Sequence, residues 1–175
     1  MGNNNGILCC DRQERPGRFH DLAGRGDLEG VLSILESRAA VHQWNISGET
    51  PAHTAAGNGR NEVLKLLLEF RTYVDVRDVG GERPLHRAAM EGHLATVQLL
   101  LEHDANLAST DVEGETPTHK AAENGHAPVL KQLLLCRASL NTEGVHGQTP
   151  ASLGFNCGHD AVIDLLLTKS MEISL

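Results

Sequence analysis

The chain has 175 residues, four cysteines, one tryptophan and a formal net charge of −8 at pH 7. That charge argues against general nucleic-acid binding, which needs clustered Lys and Arg against phosphates. Aromatic residues make up only 3% of the chain, too few for one large core of the usual kind, whereas abundant Leu and Ala suit closely stacked helices.

Residues 1–16 read as a tail. Its start, Met1-Gly2-Asn3-Asn4-Asn5-Gly6, is polar and glycine-rich, so flexibility is the expectation. Gly2 would be exposed by removal of Met1, and Cys9 and Cys10 follow closely. Myristoylation at Gly2 with palmitoylation at Cys9 or Cys10 would supply two lipid anchors, where one alone binds a membrane only marginally. Gly6 departs from that pattern, which has Ser or Thr there. Arg12, Arg15 and Arg18 would help at an anionic surface, diluted by Asp11 and Glu14. No secretory signal is seen, and apolar runs such as Leu66-Leu67-Leu68 are too short to cross a bilayer. The cysteines, with Cys136 and Cys157, lack metal-type spacing. A reduced, cytoplasmic setting is expected, with membrane association or the nucleus as alternatives.

From Gly17 the chain reads as paired helices. Phe19-His20-Asp21-Leu22-Ala23-Gly24 predicts the first, and Val31, Ile34 and Leu35 give a second its apolar face. Thr50-Pro51-Ala52-His53-Thr54-Ala55-Ala56 then opens a pattern that returns at an interval of 33. It recurs as Arg83-Pro84-Leu85-His86-Arg87-Ala88-Ala89 and Thr116-Pro117-Thr118-His119-Lys120-Ala121-Ala122. It returns degraded as Thr149-Pro150-Ala151-Ser152-Leu153-Gly154-Phe155. Counting back, the first helix pair falls into the same register. An uninterrupted period of this kind means stacked units that contact only their neighbours. Five units are expected, at 17–44, 45–77, 78–110, 111–143 and 144–170, followed by a tail at 171–175.

Local signals agree with this reading. Asp78-Val79-Gly80-Gly81 is a turn sequence, and Pro84 suits a first helical position, where a missing N–H is harmless. Thr50 and Thr116 are expected N-caps, and Arg83 would forgo a cap worth ~1 kcal/mol. Gly59, Gly92, Gly125 and Gly158 mark helix ends. Val97, Leu100 and Leu101 continue a second helix, and Pro128 falls in a first turn, where it is tolerated. Phe155 would overpack an interior unit but is harmless at the end of a stack.

This pattern resembles the ankyrin-repeat family over about residues 17–170. The resemblance implies an all-α solenoid of helix–turn–helix units joined by β-hairpin-like fingers, whose fingers and first helices form a concave binding face. Ala52 and Thr118 depart from the family's Leu, and Arg83 from its Thr. The resemblance also gives His53, His86 and His119 a hydrogen-bonding role between neighbouring turns, and sets His93, His126 and His159 in interhelical loops. An Asn at the phase of Asn141 is hydroxylated in some members, but Asp75 and Ala108 stand at the matching places here.

Chemistry finds little support. No His-x-x-x-His pair with an attendant Glu, phosphate-binding loop, dinucleotide fingerprint or G-x-S-x-G is present. Cys136 and Cys157 stand alone, and Asp75, Asp78, Asp104 and Asp111 fall near turns. No enzyme, cofactor or metal is expected; metal or catalytic use of the histidines is the competing class.

Mapped by the resemblance, the variable contact positions are Ile46, Ser47, Glu49, Asn58 and Arg77, then Val79, Gly80, Glu82, Met90 and Glu91. They continue with Val112, Glu113, Glu115, Glu123, Asn124 and Glu143. Seven Glu against one Arg suggest an acidic face, with Glu49, Glu82 and Glu115 as an in-phase ladder. The expectation is a monomeric scaffold binding the basic segment of another protein, with Val79, Met90 and Val112 as apolar anchors. A lipid-anchored adaptor is the alternative.

Overall fold

The computed structural model describes residues 17–37, 43–70 and 75–173, with side chains to 168. The proposed lipid sites Gly2, Cys9 and Cys10 lie outside the described residues. The described residues form ten helices, in pairs. The pairs are α1 (Arg18–Arg25) with α2 (Leu28–Glu36) and α3 (Pro51–Gly57) with α4 (Asn61–Glu69). Then come α5 (Pro84–Met90) with α6 (Leu94–Glu102) and α7 (Pro117–Glu123) with α8 (Ala127–Leu135). The last is α9 (Pro150–Cys157) with α10 (Asp160–Ile173). α10 runs three residues past the boundary expected at 170.

Odd-numbered helices pack against one another in an inner row, and even-numbered helices in an outer row. Side-chain size explains the arrangement. Ala55, Ala56, Ala88, Ala89, Ala121 and Ala122 are fully buried along the inner row, where a methyl group lets neighbouring helices approach closely. Leu64, Leu67, Leu100, Leu130 and Leu133 are also fully buried, on the outer helices. Burying each contributes about 2 kcal/mol. The core is therefore one continuous apolar strip through the array.

The last unit carries two changes that belong together. Gly154 replaces the Ala121 of the preceding unit, and a Cβ there would come within 2.6 Å of Val162 Cγ1. Its neighbour Phe155 stays 47% exposed, a bulk that only the end of the stack accommodates.

Thr50 and Thr116 are the N-cap residues of α3 and α7, as expected, but the bond expected of their hydroxyls is not the one they make. They face the histidine three residues on, as in a capping box, but their hydroxyls bond its Nδ1 and not a first-turn amide, at 2.9 Å to His53 and 2.8 Å to His119. Nδ1 also accepts the backbone N–H of the threonine, so in this contact the hydroxyl is the donor. Arg83 thus forgoes this contact and not a helix cap; its Nε donates to the Asp75 carbonyl at 3.1 Å.

Candidate protein-binding face

Each finger is built by backbone hydrogen bonds. Asn45, Asp78, Asp111 and Gly144 donate their N–H to the carbonyl four residues on, closing the loop at 2.9–3.0 Å. In the first three the side chain adds a second closure: Asn45, Asp78 and Asp111 Oδ1 accept from the amides of Glu49, Glu82 and Glu115. Gly81 turns the second of these fingers in the left-handed region, at φ 74. Among the described residues the fingers form no regular strand. Val79, Val112 and Val145 instead each donate one N–H to the preceding finger, at 3.0, 2.9 and 2.7 Å.

This geometry pushes one side chain per finger into solvent. Ile46, Val79, Val112 and Val145 stand 33 residues apart and are 103%, 75%, 64% and 70% exposed. Trp44 lies beside the first of them and is 67% exposed. The contact set read from the sequence included Ile46, Val79 and Val112 but missed Val145, which carrying the 33-residue phase one step further would have found.

The glutamate ladder is in register, but its charge is engaged within the chain. Arg87 on α5 reaches Glu49 at 2.8 Å, Glu82 at 2.9 Å and Asp78 at 3.2 Å. Lys120, one unit on, reaches Glu115 at 2.6 Å, Asp111 at 2.9 Å and Glu82 at 3.6 Å. Five carboxylates therefore share two cations, and Glu82 joins the two clusters. Burial pushes the Glu82 carboxyl upward against the pull of Arg87 and Lys120. Burial also opposes the Lys120 charge, but its bonds to Glu115 and Asp111 prevail and hold its pKa above the usual range. Thr54 and Leu153 occupy this phase in the flanking units, so the ion network belongs to the middle of the array. The sequence places Arg87 and Lys120 near the ladder, but only the fold makes them its centres, because sequence distance does not show which carboxylates converge on one cation.

The remaining contact positions divide by exposure. Arg77, Glu91, Glu113, Glu123, Asn124 and Glu143 are exposed, as are Ser47, Asn58 and Gly80, whereas Met90 is half-buried and Glu115 is buried. Arg77 Nη2 also donates to the Thr110 carbonyl one unit on, at 3.3 Å.

The histidines are spread through the array. Nδ1 of His53, His86 and His119 accepts from the backbone N–H three residues earlier, at 2.9–3.2 Å. That assigns the proton to Nε2, which donates to the carbonyls of Glu82, Glu115 and Gln148 in the following finger. Burial lowers all three pKa values, that of His86 to about 4. His93, His126 and His159 bond backwards, to the carbonyls of Gly57, Met90 and Glu123. Among the described residues no three His, Cys, Asp or Glu side chains group to hold a metal. Cys136 and Cys157 are free thiols, the first half-buried and the second exposed.

A family model for three ankyrin repeats matches residues 19–111 and again 104–175. The chain belongs to the ankyrin-repeat family. No curated protein matches it. Ankyrin repeats generally mediate protein–protein interaction, which gives the exposed fingers their functional context. Among the described residues, no helix of this ankyrin array is long and apolar enough to cross a membrane.

Proposed function

We propose that this ankyrin array is a non-enzymatic scaffold that binds another protein along its fingers and inner helices. The observation that carries the reading is the in-phase row Ile46, Val79, Val112 and Val145, apolar side chains held in water by a hydrogen-bonded frame. Exposed apolar groups in a contiguous patch rimmed by polar residues mark interaction sites. Glu91, Glu113, Glu123 and Glu143 supply the accessible negative charge, which favours a partner with a basic segment. Glu82 and Glu115 support the frame through their ion pairs, so reversing their charge would test folding more than binding.

Affinity capture from native extract tests the reading, comparing the intact chain with Val79→Asp/Val112→Asp and with Glu113→Lys/Glu123→Lys. Both variants are expected to keep the melting temperature of the intact chain and lose the captured partner. Unchanged capture by both would overturn the proposal. Gly2, Cys9 and Cys10 support a second reading, a lipid-anchored adaptor. It predicts added acyl mass on the N-terminal peptide after eukaryotic expression, and an unmodified peptide ends it.

A further inference from the structure

An open depression of about 320 Å³ lies on the inner face between α3 and α5, with Glu49, His53, Gly57, Asn58, Arg87 and Glu91 in its lining. Gly57 contributes no side chain to fill it. A Cβ built there meets nothing nearer than Arg87 Cβ at 3.7 Å. The next two units place Met90 and Glu123 at the same phase. Gly24 holds that phase in the first unit, but the Thr54 methyl comes within 3.0 Å of where its Cβ would stand. The space at Gly57 is therefore particular to the junction of the second and third units.

The lining favours a cation. Glu91 is exposed and Glu49 half-buried. Arg87, the cation in this lining, is outnumbered, since it is shared among Glu49, Asp78 and Glu82 while Glu91 adds a further carboxylate. The Glu49 carboxylate accepts from Arg87 and from Asn45 Nδ2 at 2.7 Å, and each carboxylate oxygen has a second lone pair to offer. His53 adds no competing charge at neutral pH, because both ring nitrogens are engaged with backbone groups as a neutral imidazole.

We propose that this depression seats one arginine side chain of the partner, its guanidinium directed to Glu49 and Glu91 and its aliphatic stem lying over Gly57. Guanidinium suits the place better than ammonium, because its planar fork can serve more than one carboxylate oxygen and its stem can cover the glycine backbone. The inference rests on the protein-binding reading and specifies one anchor within it.

The test uses N-acetyl-argininamide titrated into the isotope-labelled full chain, followed by amide resonances. A saturable shift at Gly57 and Asn58 is expected, with a dissociation constant of order millimolar, the scale for a single side chain. Gly57→Met fills the depression with the residue that α5 itself carries at this phase, and should abolish the shift. Glu91→Gln should weaken binding about tenfold, and the uncharged N-acetyl-citrullinamide should not saturate. No saturable shift, equal binding of the citrulline compound, or unchanged binding in both variants would overturn the proposal. Val79→Asp/Val112→Asp should leave argininamide binding intact. If argininamide fails to bind while that fingertip variant still loses the captured partner, the anchor falls and the scaffold reading stands. If argininamide binds while neither the fingertip variant nor Glu113→Lys/Glu123→Lys changes capture, the seat stands and the scaffold reading falls.

Discussion

Lys120 shows how a single side chain can hold two fingers. Its side chain is 10% exposed, and its Nζ bridges Asp111 and Glu115 of its own finger to Glu82 of the preceding one. Removing one partner of a buried ionic group leaves the others uncompensated, which is more damaging than the pair was favourable. Lys120→Ala is therefore expected to lower unfolding stability by roughly 3 kcal/mol in urea melts. His86 gives a pH signature of opposite origin. Burial holds its folded pKa near 4, while the unfolded chain titrates at about 6.5. Between those values the unfolded state binds the proton and the folded state does not, so stability is full above pH 6.5 and falls as pH drops towards 4. His86 alone should account for about 3 kcal/mol of that loss. Urea melts across the interval should show a shallower pH dependence for His86→Gln.

At the scale of an element, the helix–helix corner carries the tightest steric demand. Gly92 has φ 76 and lies directly under the His126 ring of the next unit, so an added Cβ would collide with Nδ1. The same contact recurs between Gly59 and His93 and between Gly125 and His159. Gly92→Ala should therefore destabilise by about 2 kcal/mol, combining positive φ with lost space. Pairing it with His126→Ala should recover the steric part, a coupling that a double-mutant cycle in thermal or urea unfolding would measure. A coupling near zero would mean that the backbone conformation alone sets the penalty. The fingers follow a looser rule, each resting on a few backbone bonds and one Asn or Asp side chain. The last finger, with Gly144 in place of that side chain, retains the backbone bonds only.

Across the whole molecule, stability is a sum over units and their junctions. The middle junctions have inner alanines, a histidine bridge and an ion network; the ends lack one or more of these. His20 on α1 bonds the Glu49 carbonyl at 2.8 Å, but its Nδ1 is buried without a partner. α9 has Ser152 where the other inner helices carry histidine, and Leu153 where Arg87 and Lys120 stand in the middle units. Native-state hydrogen exchange should therefore show α1, α2, α9 and α10 opening at lower free energy than α5 to α8. Uniform protection from end to end would show that the array unfolds as one cooperative body. A frame that is firm in the middle suits the proposed function, because a partner then meets Val79, Val112 and Glu113 already in place.

Period, phase and residue type were enough to determine the repeat, the helix pairs, the buried alanines and the turn glycines, since these depend on local backbone preference and on a spacing carried by the chain itself. The 33-residue phase even placed Glu49, Glu82 and Glu115 in one column. Which of those carboxylates stay open was decided only when the helices stacked, because Arg87 and Lys120 reach across a junction that sequence separation does not measure. The seat at Gly57 has the same origin. A missing side chain becomes room for a ligand only where the neighbouring unit does not fill it, and whether Thr54 or Arg87 closes over a glycine is a property of packing in three dimensions.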